Sequence, residues 1–444
     1  MAKQKEIAAA FAAAHAAQDE WKRLSIEERA SYCSAFVDAM LAMKDEIIPE
    51  LAWQMGRPVR YGAGELRGFE ERARHMIAIA EKALSPIKPK PISGFTRYIK
   101  REALGVVFTI APWNYPYLTA VNSVIPALMA GNSVVLKHAA QTILVGERFA
   151  KAAQKAGLPK GVFQNLVLSH AQTSEIISAG LVNSVCFTGS VAGGAAMEEA
   201  AAGRFLHMGL ELGGKDPAYV RPDADIDHAI ENLVDGSFFN SGQSCCGIER
   251  IYVHKKVYKK FVEGFVALTK QYVLDDPLKP ETTLGPLVKP EAAEFVRKQI
   301  RSAVRGGAKA MIDEKLFPIS QKGSSYLAPQ VLTDVNHQMS VMMDESFGPV
   351  VGIMQVADDA EALELMNDSP YGLTASIWTK DGLAATVLGD ELETGTVFMN
   401  RCDYLDPALT WTGVKNTGRG ASLSVVGYEA LTRPKSYHLR TKTK

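Results

Sequence analysis

The sequence has no net charge, few cysteines and no long apolar run. Its 444 residues include 49 basic and 49 acidic side chains, so no broad electrostatic attraction to nucleic acid or to an anionic membrane is expected. No apolar stretch reaches the roughly 18 residues that a membrane-spanning helix needs. The alanine-rich start carries Glu6, Asp19 and Glu20, which favours an amphipathic helix of the mature chain over a targeting peptide.

Cysteine is scarce, and its spacing suggests no pairing. The five cysteines are Cys33, Cys186, Cys245, Cys246 and Cys402. An odd number without a C-x-x-C pair argues against a disulfide framework and a zinc site, so no metal is predicted and a reducing cytoplasm is the expected location. Cys33 shares helical spacing with Phe36, Val37 and Met40, which places it in a buried stripe.

The length predicts two or three domains. Residues 1–85 have helical patterning, within which Ser25 and Glu28 form a capping box. Prolines interrupt this pattern at 86–91, and short strands follow. Beyond them, strand-like runs alternate with helical stretches, which predicts a parallel sheet with helices on both faces. The runs are Val106–Ile110, Ser133–Lys137, Val162–Leu168, Val185–Thr188 and His207–Glu211.

The same alternation restarts after Asn240, with a strand at Ile251–His254 and a helix at Val257–Tyr272. This predicts a second α/β domain. The tail from Ser436 to Thr441 alternates like an edge strand. Because parallel sheets bind ligands at the carboxyl ends of their strands, the chemistry is expected near the joint between the two sheets.

Three residues are candidates for catalysis. Cys245 follows a glycine-containing turn, where free backbone donors favour the thiolate, although a cysteine taken alone is more often a small buried hydrophobe. Glu211 ends an apolar strand and precedes two glycines, so it is a candidate base, but it could equally cap a helix or form a salt bridge. Asn114 lies between two prolines and is either a neutral donor or a turn residue.

The nucleotide-binding signal is incomplete, because no G-x-G-x-x-G follows a strand. Gly62-x-Gly64 lies in a helical region and is a weak lead. After the strand that ends near Thr188, Gly189 and Ser190 form a turn, with Gly194 further on. A glycine-rich turn that opens a helix offers backbone N–H groups to phosphate.

The order of the motifs is more informative than any one of them. PWN, LK after a GN turn, FTGS, LELGGK, GQ-x-C and ESFGP follow one another along nearly the whole chain, which therefore resembles the aldehyde dehydrogenase superfamily. The resemblance implies an α/β fold with a Rossmann-like parallel-sheet cofactor domain, a second α/β catalytic domain and a small β bridging region for oligomerisation. The implied boundaries are 1–85 and 104–213, 214–427, and 86–103 with 428–444, respectively.

The resemblance also implies roles for single residues. Cys245 matches the nucleophile, Glu211 the base that activates water, and Asn114 the side-chain half of the oxyanion hole. The aldehyde would form a thiohemiacetal and then a thioester, with hydride transfer to NAD or NADP. The residues expected at the cofactor are Pro112, Trp113, Lys137, Ala140, Gly189, Ser190, Gly194, Leu212, Glu345 and Phe347.

The chain departs from the family pattern in two places. Many NAD-specific relatives have a glutamate three positions after the lysine, whereas this chain has Ala140, so NADP is favoured over NAD. Some carboxylate-recognising relatives have an arginine where Asn122 lies, and Arg401 is either its replacement or a surface arginine. The expected substrate pocket comprises Tyr117, Asn122, Ser244, Cys246 and Arg401. His138 resembles the succinate-semialdehyde branch, and a small polar aldehyde is the predicted substrate.

Two other functions stay open. In a CoA-acylating enzyme a thiol would replace water in the second step, but that branch generally lacks the carboxylate at Glu211. A non-catalytic binding or structural protein of the same fold would not need Cys245, Glu211 and Asn114 together. The family further implies a homodimer or a dimer of dimers, with the tail strand extending a partner's sheet, and no nucleic-acid or membrane partner.

Overall fold

A computed structural model describes residues 1–443. Its helices alternate with strands over most of the chain. The α-helices are α1 Gln4–Trp21, α2 Ile26–Leu41, α3 Lys44–Met55, α4 Val59–Leu84, α5 Pro116–Met129, α6 Ile143–Lys155, α7 His170–Ser178, α8 Val191–Ala201, α9 Ile226–Phe238, α10 Tyr258–Thr269, α11 Pro290–Arg305, α12 Ser340–Met343, α13 Asp359–Asn367, α14 Gly382–Glu391 and α15 Ser424–Glu429. Short 3-10 helices lie at Ala140–Thr142, Phe239–Gly242 and Glu314–Leu316.

The strands form two large sheets and two small ribbons. They are β1 Phe95–Ala103, β2 Val106–Ala111, β3 Ser133–His138, β4 Phe163–Asn165, β5 Ser184–Thr188, β6 His207–Glu211, β7 Asp216–Val220, β8 Ile248–His254, β9 Lys309–Ala310, β10 Gln330–Thr333, β11 Val350–Val356, β12 Tyr371–Gly372, β13 Thr374–Trp378, β14 Thr396–Met399, β15 Val414–Lys415, β16 Gly418–Arg419 and β17 Thr432–Arg440.

The amino-terminal helices are shaped by local signals. Ser25 Oγ accepts a hydrogen bond from the Glu28 N–H at 3.1 Å, and the Glu28 carboxylate accepts one from the Ser25 N–H at 2.7 Å. This is the predicted capping box, and it starts α2. Helix α3 ends at Gly56, whose φ of 81° lies in the left-handed region. Cys33 is fully buried in the predicted stripe, and burial raises the pKa of its thiol to about 12.

The first large sheet has the strand order β16-β6-β5-β2-β3-β4. Its neighbours are parallel except for β16, which runs antiparallel to β6. Every residue of β2 and β3 is buried, as expected for central strands with helices on both faces. The predicted parallel-sheet α/β fold is therefore confirmed for this part of the chain.

The second sheet has the order β14-β13-β7-β8-β11-β10-β9, and its pairs are parallel except for β9 with β10. Strand β17 pairs antiparallel with β1 to form a separate two-stranded ribbon. Among the described residues, no helix is long and apolar enough to cross a membrane.

The chain returns to the first sheet before its end. Strand β16 pairs with β6, and Trp411, Leu423 and Tyr428 are buried in the core built by the amino-terminal helices. The expected boundaries, with 214–427 as the second domain, stay a prediction. A two-residue strand such as β16 leaves almost no pattern in the sequence, so its pairing with the first sheet could not be foreseen.

Candidate active site

The carboxyl edge of the first sheet collects most of the predicted cofactor residues. The register sets Thr188 opposite Glu211 and Ala111 opposite His138, so the segments that follow these strands lie side by side. Pro112 begins the segment after β2, and Lys137, Gly189 and Ser190 lie at or just after the ends of β3 and β5. In parallel α/β sheets this edge is where ligands bind.

A left-handed turn precedes Cys245. Asn240, Ser241 and Gly242 have φ values of 52°, 58° and 70°, a run that residues with a Cβ seldom adopt. Side-chain hydrogen bonds hold it: Asn240 Nδ2 donates to the carbonyls of Asn114 and Gln243 at 3.1 Å, and Ser241 Oγ donates to the Gly285 carbonyl at 2.7 Å. The turn brings Cys245 to a half-buried position at the cavity between the two sheets.

The linker between the sheets explains the paired glycines of the LELGGK motif. A Cβ on Gly213 would lie 2.4 Å from Glu345 Oε2, and a Cβ on Gly214 would lie 2.1 Å from the Cys245 carbonyl oxygen. The backbone contact at Gly214 leaves no room for a side chain, and a side chain at Gly213 would displace the carboxylate of Glu345. The two glycines therefore let the cysteine loop and the carboxylate of Glu345 approach the end of the first sheet.

A cavity of about 350 Å³ lies between the end of β6 and the loop that carries Cys245. Cys245 and Glu211 both line it, together with Ser244, Cys246 and Asn122. The structure thus brings together the predicted nucleophile, the predicted base and three of the five predicted pocket residues.

Glu211 ends β6 and holds two hydroxyl donors. Ser422 Oγ donates to Oε1 at 2.6 Å, and Thr188 Oγ1 donates to Oε2 at 3.3 Å. Burial raises the pKa of Glu211, whereas the two hydroxyls and Arg72 act in the opposite direction. A carboxyl with a raised pKa is better matched to taking up a proton near neutral pH.

Asn114 is buried, and its neighbours fix its position. Its Nδ2 donates to the Gln243 carbonyl at 3.2 Å, beside the cysteine loop. The backbone carbonyl of Asn114 accepts a hydrogen bond from Arg57 Nη2 at 2.6 Å, and Arg57 forms a buried ion pair with Glu65. Glu65 Oε1 also accepts from the backbone N–H groups of Tyr117 and Leu118. One ion pair therefore holds the whole segment that carries Asn114.

The two neighbouring cysteines have different surroundings. Cys246 is buried and donates through Sγ to Asp403 Oδ1 at 2.9 Å, and Ser244 Oγ donates to the same oxygen at 3.3 Å. A hydrogen bond with Cys245 and burial raise the pKa of the Cys246 thiol well above its usual value. Cys246 is therefore held as a protonated donor, which makes it a poor nucleophile.

The residues at the edge of the first sheet suit a dinucleotide. Within residues 1–443, no hydrogen bond or ion pair engages the buried ammonium of Lys137, and burial lowers its pKa. Ser190 caps the 11-residue helix α8 through the Gly193 N–H. Gly194 lets that helix pack on Leu212, because a Cβ there would lie 2.6 Å from Leu212 Cδ2. A cation without a protein partner and a helix amino terminus, both at the carboxyl edge of the same sheet, are donors that fit ribose and phosphate oxygens.

The loop that precedes β11 carries Glu345 and Phe347. The Phe347 ring meets the Trp113 ring edge-on, with centroids 5.6 Å apart. Glu345 Oε1 accepts from the Gly214 N–H at 2.9 Å, and burial raises the pKa of Glu345 to about 7. The buried carboxylate of Glu249 accepts from the N–H groups at 346 and 347 and pairs with Lys215. This network fixes the loop that presents Glu345 and Phe347.

Two predicted pocket residues lie elsewhere. The prediction for Tyr117 is wrong: its side chain is fully buried in the core and stacks on Phe149 with centroids 5.8 Å apart. Arg401 is exposed and lies over the ring of Tyr404, 3.4 Å from the centroid, and it does not line the cavity. The backbone turns after Arg401, so that Asp403 and Tyr404 face the cavity instead.

Several residues of the site escaped prediction. Neither Arg57 nor Asp403 is among the site residues predicted from the sequence. Two signals were nevertheless present in the sequence. Glu249 and Arg250 stand together among the apolar residues of β8, and Arg72 lies on the buried face of α4. A charged residue in an apolar stripe indicates a buried partner or ligand.

Comparison with known proteins agrees with this geometry. The model of the aldehyde dehydrogenase family matches residues 1–437. An aldehyde dehydrogenase of Paenarthrobacter nicotinovorans is 35% identical over 429 residues, which cover 95% of this chain and 92% of that protein. A succinate-semialdehyde dehydrogenase (NADP(+)) of Mycobacterium avium is 32% identical over 434 residues, covering 97% and 91%.

Solved structures give the same result. The succinic semialdehyde dehydrogenase from Streptococcus pyogenes, solved in complex with NADP+, has a TM-score of 0.93 at 28% identity, covering 99% of this chain and 96% of that one. An NAD-dependent aldehyde dehydrogenase from Sinorhizobium meliloti has the same TM-score at 29% identity, covering 100% and 88%. The chain belongs to the aldehyde dehydrogenase family. It is an NAD(P)-dependent oxidoreductase that oxidises aldehydes, as its motifs implied.

Proposed function

We propose that this enzyme oxidises a small polar aldehyde to the carboxylic acid through a thioester on Cys245. The observation that carries the proposal is that Cys245 and Glu211 line the same cavity, with Asn114 hydrogen-bonded to the adjoining loop. The Cys245 thiolate bonds to the aldehyde carbon, and the carbonyl oxygen becomes an oxyanion. The Asn114 amide and the Cys245 backbone N–H stabilise that charge.

Glu211 acts in the second half of the reaction. It takes a proton from a water molecule, the water oxygen bonds to the thioester carbon, and the sulfur leaves as the Cys245 thiolate. Ser422 and Thr188 orient the carboxylate through their hydroxyl groups. Because the base lies in the cavity that holds the cysteine, hydrolysis is favoured over transfer of the acyl group to CoA.

We assign the cofactor to the crevice at the carboxyl edge of the first sheet. Lys137 would hold the adenosine ribose, Ser190 and the start of α8 the pyrophosphate, and Glu345 with Phe347 the nicotinamide riboside. When bound there, the cofactor would supply the acceptor for the hydride that leaves the former aldehyde carbon as the oxyanion regains its C=O bond, which leaves the thioester on Cys245. The exposed Ala140 puts no carboxylate beside Lys137, which leaves room for a 2′-phosphate and supports a preference for NADP.

Succinate semialdehyde is the candidate substrate. Support comes from the names of several relatives, which are similar over nearly the whole chain, and from the polar side chains in the cavity. We further propose assembly into a dimer or a dimer of dimers through the ribbon of β1 and β17. That ribbon is separate from both large sheets and exposes Leu439. Light scattering in solution distinguishes these assemblies from a monomer.

The experiment compares Cys245→Ala with Cys246→Ala over a panel of aldehydes, each with NAD and with NADP. We expect Cys245→Ala to abolish cofactor reduction and Cys246→Ala to retain at least about a tenth of the wild-type rate. The matched pair separates loss of the nucleophile from disturbance of the loop. Wild-type turnover in Cys245→Ala, or an inactive wild type across the panel, would contradict the proposal.

A further inference from the structure

Arg72 is a buried cation that faces the substrate cavity. It lies on the apolar face of α4, between Phe69 and Met76, and only 8% of its surface is exposed. It nevertheless lines the cavity that contains Cys245 and Glu211. The catalytic steps proposed above do not use it.

The guanidinium of Arg72 is only partly satisfied by the protein. Nη1 donates to the Leu118 carbonyl at 2.8 Å and to Asn122 Oδ1 at 3.3 Å. Nε and Nη2 have no hydrogen-bond partner among residues 1–443. By contrast, the equally buried Arg57 and Arg250 use all three nitrogens. The Nε and Nη2 donors of Arg72 are therefore available to a ligand in the cavity that this residue lines.

The nearby carboxylates do not neutralise Arg72. Glu65 is already paired with Arg57, Glu71 accepts a hydrogen bond from the Tyr404 hydroxyl, and Glu211 accepts from Ser422 and Thr188. Within the described chain, no carboxylate is close enough to Arg72 to form a salt bridge. Burial of a charge without a hydrogen-bonded counterion is expensive, and burial lowers the pKa of Arg72 although Glu65 and Glu211 act in the opposite direction. An anion from outside the protein would supply the missing partner.

Asp403, the acid of the cavity that lies beside the cysteine loop, does not favour a cationic ligand. Asp403 Oδ1 accepts from both Cys246 and Ser244. Burial raises the pKa of Asp403 to about 7, so near neutral pH a large share of it carries no charge. The cavity therefore has a permanent cation on the α4 side and a partly neutral acid near the cysteine loop.

We propose that Arg72, oriented by the Asn122 amide oxygen, binds a carboxylate at the far end of the aldehyde and so selects ω-carboxy aldehydes. The planar fork can donate two parallel hydrogen bonds to the two oxygens of a carboxylate. This inference rests on the proposed function, because it assumes that the aldehyde end is attacked by Cys245. It assigns specificity to a residue of α4 that takes no part in the chemical steps.

The test uses two aldehydes of equal chain length, 4-oxobutanoate and butanal. In Arg72→Gln we expect kcat/KM for 4-oxobutanoate to fall at least about 30-fold, chiefly through KM, since a desolvated charge pair is lost. Butanal should change less than about threefold. Arg72→Lys should recover part of the loss. The matched control is Arg74→Gln, two residues further along α4, where the arginine forms exposed pairs with Asp38 and Glu70.

The outcomes separate the two proposals. Equal losses for both aldehydes would show that Arg72 acts through Glu211 or through stability, and would overturn the inference while leaving the aldehyde oxidation intact. An inactive wild type would instead overturn the proposed function. A second measurement needs no variant: succinate should inhibit butanal oxidation competitively, whereas the neutral succinamide should inhibit at least about tenfold more weakly. Equal inhibition by both compounds would also overturn the inference.

Discussion

The buried ion pair between Arg57 and Glu65 gives a prediction that separates stability from activity. Glu65→Gln keeps the shape and an acceptor oxygen for the backbone N–H groups of Tyr117 and Leu118, but it leaves the Arg57 charge buried without its partner. Both side chains are at most 2% exposed, so water cannot replace the carboxylate. Loss of one partner of such a pair costs about 3–5 kcal/mol.

At about 2–4 °C per kcal/mol for a domain of 150–250 residues, the Tm should fall by about 6–20 °C. Thermal unfolding followed by fluorescence measures this shift, and kcat on a standard aldehyde measures the effect on the site. Because Arg57 holds the Asn114 carbonyl, a displaced Asn114 should also lower kcat, by up to about 10²-fold.

The double variant Arg57→Met, Glu65→Gln tests the physical reason. It removes the unpaired charge, so its Tm should recover toward wild type. Its kcat should stay low, because neither Asn114 nor Asn240 is then held by the guanidinium. A Tm change below about 2 °C in the single variant, or a double variant less stable than the single one, would refute the reasoning.

Two further predictions concern the base and the cofactor. Glu211→Gln should preserve a burst of reduced cofactor but slow steady turnover by about 10²–10⁴-fold. Stopped-flow absorbance measures the burst. If the variant shows no burst, Glu211 does not act in hydrolysis alone. Because the pKa of Glu211 is raised, its basic form grows as pH rises through that pKa, so wild-type steady turnover should rise with pH and the Gln variant should lose that rise. Ala140→Glu should shift the ratio of kcat/KM with NAD to kcat/KM with NADP toward NAD by more than about tenfold, or about 1.4 kcal/mol, because a carboxylate would repel the 2′-phosphate. An unchanged ratio would show that position 140 does not contact that region of the cofactor.

Much of the fold could be predicted because its signals are local and repeated. Strand β6 has the predicted bounds, and the strands from β2 to β5 differ from prediction mainly at their ends. The convergence of residues after β2, β3 and β5 then follows from parallel topology alone. Their roles came from the motif resemblance and remain proposals at the level of single residues.

The errors in the pocket have a geometric origin. Tyr115, Leu118, Thr119 and Asn122 line the cavity, and their spacing of three, four and seven is that of one helix face. Tyr117 falls outside this spacing and faces the core. The predicted pocket ignored the helical period because the prolines of the motif suggested a loop rather than the start of α5.

Long-range partners could not be predicted. Nothing local in the sequence connects Arg57 with Asn114, or Glu249 with the loop at 346 and 347, since these contacts depend on how distant elements pack. Arg72 could be recognised as an anomaly in an apolar stripe, but the incomplete hydrogen bonding of its guanidinium requires coordinates. A charged residue inside an apolar pattern is therefore the sequence signal that indicates a buried partner or ligand.

The left-handed turn ahead of Cys245 bears on how freely this enzyme can change. Non-glycine residues in such backbone conformations cost about 1–3 kcal/mol each, and Asn240 and Ser241 offset that cost with side-chain hydrogen bonds. At Gly242 even a methyl group would lie 2.3 Å from the Gly348 carbonyl oxygen. Substitutions that relax this turn would raise the thermal stability of the enzyme. They would also leave the direction of the Cys245 side chain less fixed. We expect residues 240–242 to be among the least tolerant of random substitution in a library selected for turnover.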